Sequence, residues 1–255
     1  MKFDRLSLLA AGLLSVATTA SAAPQFKVIT DLDDTIKITH VKRKVSAALN
    51  GIFTTKSFAG TSELLKAMNG PTAETIILTA SPKQLRFRVV DFLENNEINA
   101  SQIILKNKMS DSTPVYKTAK LTEIAQADEA QFILFGDDTE YDPEVFTGFA
   151  QNHPGKVAAV YIRKNLDRPL PTGATGYSTV FEPALLEVAA GRMSPVDAIN
   201  VGLAVLADKH QRVLPSFSAC RDSGSNLATD PEMKKLEQQI NERLRTICQT
   251  YKHDG

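Results

Sequence analysis

The chain is short of the residue types that build several common kinds of site. It has two cysteines, Cys220 and Cys248, in no C-x-x-C or other metal-ligand spacing, and four histidines, His40, His153, His210 and His253, scattered over 255 residues. Neither a zinc site nor a dithiol redox centre is indicated. Charge of one sign is also lacking: 29 basic residues balance 29 acidic ones, and no lysine and arginine run is interleaved with aromatics. The electrostatic footprint of a nucleic-acid binder is therefore absent. The apolar run Leu6 to Val16 is shorter than the roughly 20 residues that span a bilayer. Lys2 and Arg5 precede it and Ala20-Ser21-Ala22 follows, which reads as a leader over residues 1–22 that is removed on export to the periplasm or the medium. No transmembrane segment is expected after its removal.

What is present suffices for a core, since 43% of the residues are apolar and 23% charged. From residue 26 to about 165 short β-rich runs alternate with helical segments, the pattern of a parallel sheet covered by helices. The strand candidates are residues 26–30, 75–78, 102–105, 131–135 and 157–162. Ser81-Pro82 and Asp142-Pro143 each read as a capping side chain before a proline at a helix start. Beyond Arg163 a turn-rich stretch, Arg168 to Gly176, ends the β alternation and the rest reads as helical. Met233, Leu236, Ile240, Leu244 and Ile247 form a narrow apolar stripe on a charged terminal helix, which reads as a docked helix. The expected organisation is a leader over 1–22, a core over 23–165, and a linker with a helical extension over 166–255. Cys220 and Cys248 both fall in that extension, where an oxidising compartment allows a disulfide and free thiols are the alternative.

The chemistry concentrates at the ends of strand candidates. Val28-Ile-Thr-Asp-Leu-Asp-Asp-Thr35 runs a hydrophobic strand into three carboxylates and a threonine. Alternation sends Asp31 and Asp33 to the same side, where two carboxylates repel unless a cation sits between them or one holds a proton. Both solutions suit phosphoryl transfer with a hard cation such as Mg2+. Ile76-Ile-Leu-Thr79 offers a hydroxyl at a second strand end, with Ser81 beyond it reading as an ordinary helix cap. Phe132-Ile-Leu-Phe-Gly-Asp137 ends a third strand in a carboxylate, Gly136 permitting the close turn, while Asp142 reads equally as a helix cap or as part of a metal shell.

These motifs in this order resemble the haloacid-dehalogenase-like hydrolases. More narrowly, Asp31-Leu-Asp-Asp-Thr-Ile-Lys-Ile-Thr39, Leu78-Thr-Ala-Ser-Pro82, Gly136-Asp137 with Asp142-Pro-Glu144, and Val160-Tyr-Ile-Arg163 are similar to the catalytic domain of the App1-type phosphatidate phosphatases. The resemblance implies a three-layer Rossmann-like parallel sheet with helices on both faces. It implies that Asp31 is the nucleophile, that Asp33 is the general acid and base, and that Thr79 and a lysine hold the phosphoryl oxygens. Asp31, Asp137 and the Asp33 carbonyl would bind Mg2+. Spacing to Gly136 resembles the family more closely for Lys117 than for Lys120. Asp138-Thr139 stand where the App1 type has serine and glycine, and Lys83 where it commonly has an aromatic residue.

Neither interval between the motifs holds a large cap domain, so the site should be open, covered at most by a flap within residues 36–60 and by the C-terminal helices. The reading is a Mg2+-dependent phosphatase acting on a phosphate monoester, with a phospholipid, phosphatidate, as the substrate that the resemblance points to. A phosphatase for soluble phosphoesters and a non-catalytic binding module on the same fold are the rivals.

Overall fold

The computed structural model describes residues 26–39, 55–69, 75–107, 110–220 and 225–253. The expected leader and most of the expected flap lie outside the described residues. Strands β1 (Phe26–Thr30), β2 (Thr75–Pro82), β3 (Gln102–Lys106), β4 (Gln131–Asp137) and β5 (Val157–Arg163) alternate with helices α1 (Thr61–Asn69), α2 (Arg86–Asn95), α3 (Thr113–Ala127) and α4 (Asp142–Asn152). A short strand, β6 (Thr175–Tyr177), follows, and then α5 (Phe181–Ala189), α6 (Pro195–Ala207), α7 (His210–Val213) and α8 (Pro231–His253).

All strand pairs are parallel, in the order β3-β2-β1-β4-β5-β6. The order reverses between β1 and β4, and a crevice at such a switch point, beyond the carboxyl ends of the strands, is where open α/β sheets bind ligands. Register fixes the two site strands against each other: Thr30 lies opposite Phe135, and the Asp31 amide donates to the Phe135 carbonyl at 2.9 Å. Asp31 and Asp137 are therefore delivered to the same edge.

Both faces of the sheet are buried, as a parallel sheet requires. Val28, Ile77, Ile133, Phe135 and Tyr161 pack with side chains of α1, α2, α5, α6 and α8, whereas Ile29, Leu78, Leu134 and Ile162 pack with Leu121 and Ile124 of α3 and Phe146 and Phe149 of α4. The three-layer architecture is the one expected.

Three local expectations fail. β6 arises within the stretch read as turn-rich: a Thr-Gly-Tyr run is too short to show alternation, and it is strand only because Tyr161 to Arg163 offer a free edge. Ser81 does not cap a helix: Pro82 holds the cap position of a 3-10 turn over Lys83–Leu85, with no side-chain cap bond. β2 continues through Pro82 after a register shift beyond Thr79, and α2 begins at Arg86. Asp142 does not cap α4 either, since Tyr141 occupies the cap position and the Asp142 carboxylate reaches elsewhere.

The terminal helix is docked by the stripe read from the sequence, with Met233, Leu236, Ile240, Leu244 and Ile247 all buried. Gly202 of α6 lets α8 approach closely, because a Cβ there would stand 2.3 Å from Leu236 Cδ2. Cys220 and Cys248 are bonded, with Cα atoms 5.6 Å apart and 28 positions between them in sequence. Closing a loop of that length restricts the unfolded chain by about 3 to 4 kcal/mol. A Cys220→Ser/Cys248→Ser variant should lose stability of that order in urea denaturation. A loss under about 1 kcal/mol would show that packing alone holds the terminal segment.

Candidate active site

At the switch point Asp31, Asp137 and Asp142 bring one carboxylate oxygen each within 4.8 Å of one another, and all three side chains are buried. The residues come from separate elements: Asp31 follows β1, Asp137 ends β4 and Asp142 opens α4. Lys117 reaches in from α3, its Nζ 2.7 Å from Asp31 Oδ1 and 2.5 Å from Asp142 Oδ1. Thr35 Oγ1 lies 3.3 Å from both Asp31 Oδ2 and Asp137 Oδ2, so a single hydroxyl spans two carboxylates. Asp137 Oδ1 accepts from the Thr139 amide at 2.6 Å and from the Thr139 hydroxyl.

Gly136 is what lets Asp142 into this cluster. A Cβ at residue 136 would meet Asp142 Cβ at 2.6 Å, Asp142 Oδ2 at 2.7 Å and Phe146 Cε2 at 2.8 Å. The glycine is required by a close approach, not by a left-handed turn.

Three carboxylates share one ammonium, and the electrostatics follow. Burial, only partly offset by Lys117, pushes Asp31 up to about 8. Burial also raises Asp137 well above the usual carboxylate range, reinforced by Asp142 and Asp31. Burial would push the Lys117 ammonium down, but Asp142 and Asp31 outweigh it and hold Lys117 firmly protonated. Asp142 Oδ2 is buried and makes no hydrogen bond. An all-oxygen donor set with surplus negative charge and an unsatisfied carboxylate oxygen fits a hard divalent cation.

Asp33 stands apart from this group. Its Oδ1 accepts from Thr39 Oγ1 at 2.7 Å, its Oδ2 from Ser81 Oγ at 3.0 Å, and Lys37 Nζ lies 3.7 Å away. The carboxylate nearest the other two is thus Asp142, and the metal contact that the resemblance implies for Asp33 is through its carbonyl. The side chain of Asp33 remains 23% exposed, so it faces the cavity mouth. Asp31, Asp33, Thr79, Ala80, Ser81, Lys117, Asp137 and Asp142 line a cavity of about 190 Å³ together with Thr139 and Glu140.

The structure brings Asp31, Asp33, Thr79, Lys117 and Asp137 into one cavity. Of the two lysines it is Lys117 that points there, while Lys120 pairs with Glu123 at 2.6 Å on the partly exposed side of α3. The resemblance motifs include Thr35, Lys37, Thr39 and Ser81, but sequence reading assigned no role to the first three and took Ser81 for a cap. The signal for Thr35 lay in its place four residues after Asp31 on a tight loop. For Ser81 there was none, because Ser-Pro before a helix is an ordinary cap pattern and only the register shift in β2 aims its hydroxyl at Asp33.

A parallel sheet with carboxylates of its two switch-point strands converging on a buried lysine defines the class, that of the haloacid-dehalogenase-like hydrolases. The chain belongs to the family described as phosphatidate phosphatase APP1, catalytic domain, whose model matches residues 26–164. A curated relative, an uncharacterized protein of Schizosaccharomyces pombe, is 26% identical over 148 residues, covering 53% of this chain. The match takes in 24% of that relative, so this chain corresponds to about a quarter of its length. No solved structure matches.

The raised carboxylates make stability depend on pH with a definite sign. Asp31 binds its proton more tightly folded than unfolded, so its contribution is fully present below the unfolded value, 3.8, and is lost as pH rises through about 8. The metal-free protein should melt at progressively lower temperature between about pH 5 and about pH 8, and saturating Mg2+ should flatten that slope by taking the place of the protons. Scanning fluorimetry with a bound dye checks this, and a metal-free Tm independent of pH would contradict the carboxylate shifts.

Proposed function

We propose that the protein is a Mg2+-dependent phosphatase that hydrolyses a phosphate monoester through an aspartyl phosphate on Asp31. The observation that carries this reading is the buried Asp31 carboxylate, pinned by Lys117 at the sheet's switch point beside Asp137 and Asp142. Lys117 orients one oxygen of Asp31 and the Thr35 hydroxyl lies 3.3 Å from the other, which fixes the carboxylate as a nucleophile requires. Asp31 attacks phosphorus, the phosphorus–oxygen ester bond breaks, and the departing alkoxide takes a proton from Asp33. Asp33 then takes a proton from the water that attacks the phosphoaspartate, which releases phosphate and restores both carboxyl groups. Thr79 and the Lys117 ammonium hold phosphoryl oxygens. Mg2+, held by Asp31, Asp137 and the Asp33 carbonyl with Asp142 beside them, would supply positive charge opposite the phosphoryl group. The Cys220–Cys248 bond supports the expectation of an exported protein working in an oxidising compartment.

Asp31→Asn should remove turnover, by at least about a thousandfold, while the protein keeps its melting profile. Phosphate release from a panel of phosphoesters, with Mg2+ and with a chelator, measures it. Substantial turnover by folded Asp31→Asn would sink the covalent route, and full activity after exhaustive chelation would sink the metal.

A lipid phosphomonoester such as phosphatidate is the proposed substrate. Its support is the family together with exposed apolar side chains on the edge of the sheet that carries the site. Phe87 at the start of α2, Val115 at the start of α3, Tyr141 before α4 and Leu166 after β5 are large, apolar and exposed, and all stand at the carboxyl edge of the sheet. Exposed Lys83 and Arg86 flank Phe87, cations suited to lipid phosphate. Exposed apolar side chains on the same edge of the sheet as the site suit a bilayer surface, where each inserted side chain contributes on the order of 2 kcal/mol. Phe87→Ser/Val115→Ser should lower hydrolysis of phosphatidate in phosphatidylcholine vesicles by about tenfold or more and leave a soluble short-chain analogue unaffected. Equal rates on vesicles for variant and wild type would argue for soluble phosphoesters.

A further inference from the structure

Asn165 lies one residue beyond the stretch matched to the family, and every polar group it has is used. It is buried, 1% exposed, in the loop that follows β5. Its side-chain amide donates from Nδ2 to the Asp34 carbonyl at 2.8 Å, and its Oδ1 accepts from Ser218 Oγ at 2.9 Å. Its backbone amide donates to Asp138 Oδ1 at 2.7 Å, and its carbonyl accepts from the Ala219 amide at 2.8 Å. The Asp34 carbonyl can only accept, so the amide orientation is fixed by chemistry.

Asp34 is the residue of the catalytic loop that most needs holding. It sits in the left-handed region at φ 58°, which is strained for a residue other than glycine and is held only where its surroundings impose it. Its amide donates to the Lys37 carbonyl at 2.7 Å and its carboxylate accepts from the Thr39 amide at 2.8 Å, so the loop closes on itself on one side. On the other side its carbonyl meets Asn165, and the next residue's carbonyl, that of Thr35, meets Arg163 Nε at 2.8 Å. The neighbours of Asp34 on either side are Asp33, with its carboxylate on Ser81 and Thr39, and Thr35, whose hydroxyl spans Asp31 and Asp137. A shift of the Asp34 peptide moves both.

Ser218 and Ala219 hold Asn165, and the next residue is Cys220, bonded to Cys248 on α8. The path from the terminal helix to the catalytic loop is thus α8, the disulfide, the 218–219 segment, Asn165, Asp34. We infer that Asn165 is a positioning residue for the catalytic loop and that the disulfide-tied C-terminal extension serves the site by holding Asn165 in place. The inference rests on the reading of Asp31 and Asp33 as the reacting groups, and its test separates the two.

Asn165→Asp keeps the size of the side chain and turns a donor into an acceptor that faces the Asp34 carbonyl. Ser218→Ala removes only the hydroxyl that orients Asn165. Both are compared with wild type for kcat and KM on a soluble phosphoester well below the melting temperature, and for hydrogen exchange of the peptide covering residues 31–39. Asn165→Asp should lower kcat by about tenfold to a hundredfold with KM changed by less than about threefold, as expected when reacting groups are misplaced and binding groups are not. Ser218→Ala should do the same to a smaller extent. Exchange should quicken at 31–39 in both variants while the strands β4 and β5 stay protected. The proposal is overturned if kcat stays within about twofold in folded Asn165→Asp, or if exchange at 31–39 is unchanged. A variant whose activity returns fully on cooling, in step with its melting curve, also overturns it. Should Asn165→Asp not fold, Ser218→Ala decides by the same measurements. A wild type inactive on every phosphoester would refute the phosphatase reading, and the exchange data would still decide the clamp.

Discussion

The site depends on one buried ammonium. Lys117 stands between Asp31 and Asp142, and Asp137 adds a third carboxylate within reach of the same space. Remove the cation and three acids are left in a region that water barely enters, where the desolvation of even one charge costs several kcal/mol. One ammonium cannot neutralise three carboxylates. The arrangement is therefore incomplete as a structural salt bridge, and the deficit appears as the raised proton affinity of Asp31 and Asp137 and the unsatisfied oxygen of Asp142. A structure selected for stability alone would have paired or removed these charges. Buried, raised carboxylates gathered at a strand switch point are the kind of arrangement that functional sites show, and the cluster could hold a metal ion.

The parts of this arrangement that were legible in the sequence are those set by regular structure. A hydrophobic run ending in Asp31, another ending in Thr79 and a third ending in Gly136-Asp137 place those residues at strand ends, and parallel pairing does the rest. Lys117 was legible from its spacing to Gly136. Residues whose place depends on an irregularity were not legible. Ser81 reaches Asp33 because β2 shifts register after Thr79, and the same shift carries the strand through a proline that reads locally as a helix start. For Asp142 the sequence left two readings, a helix cap and a metal shell, and the structure pairs it with the buried Lys117 at 2.5 Å rather than with a helix amide. β6 has no pattern of its own and exists because β5 would otherwise leave an open edge.

The C-terminal region poses the same lesson at a larger scale. Its composition reads as an appendage, yet α5, α6 and α8 bury their apolar residues in the same cluster as Val28, Ile77 and Ile133 of the sheet. The ion-paired Glu187 makes the junction specific. It is fully buried, accepts from the Tyr161 hydroxyl of β5 at 2.5 Å and takes a bidentate contact from Arg192 at 2.6 and 2.7 Å. A charge so placed tolerates little movement of α5 against β5.

Those contacts hold the catalytic loop from the C-terminal side. No large cap is present among the described residues to clamp the catalytic loop from above, so the restraint has to come from beside and below. Arg163 shows how this is done without adding a competing carboxylate. Its guanidinium is buried, stacks 3.7 Å from the Phe58 ring and 4.7 Å from the Tyr177 ring, and donates to the backbone carbonyls of Thr35 and Ser178. Aromatic faces and carbonyl dipoles stabilise the cation, and its charge is felt by Glu182 and by Asp137 of the site. A second positive charge thus lies against the loop that carries Asp33 and Thr35. There it favours the accumulated carboxylate charge without occupying the space where a phosphoryl group and its metal would sit. Rigidity and electrostatic support for the catalytic loop come from the same side chain.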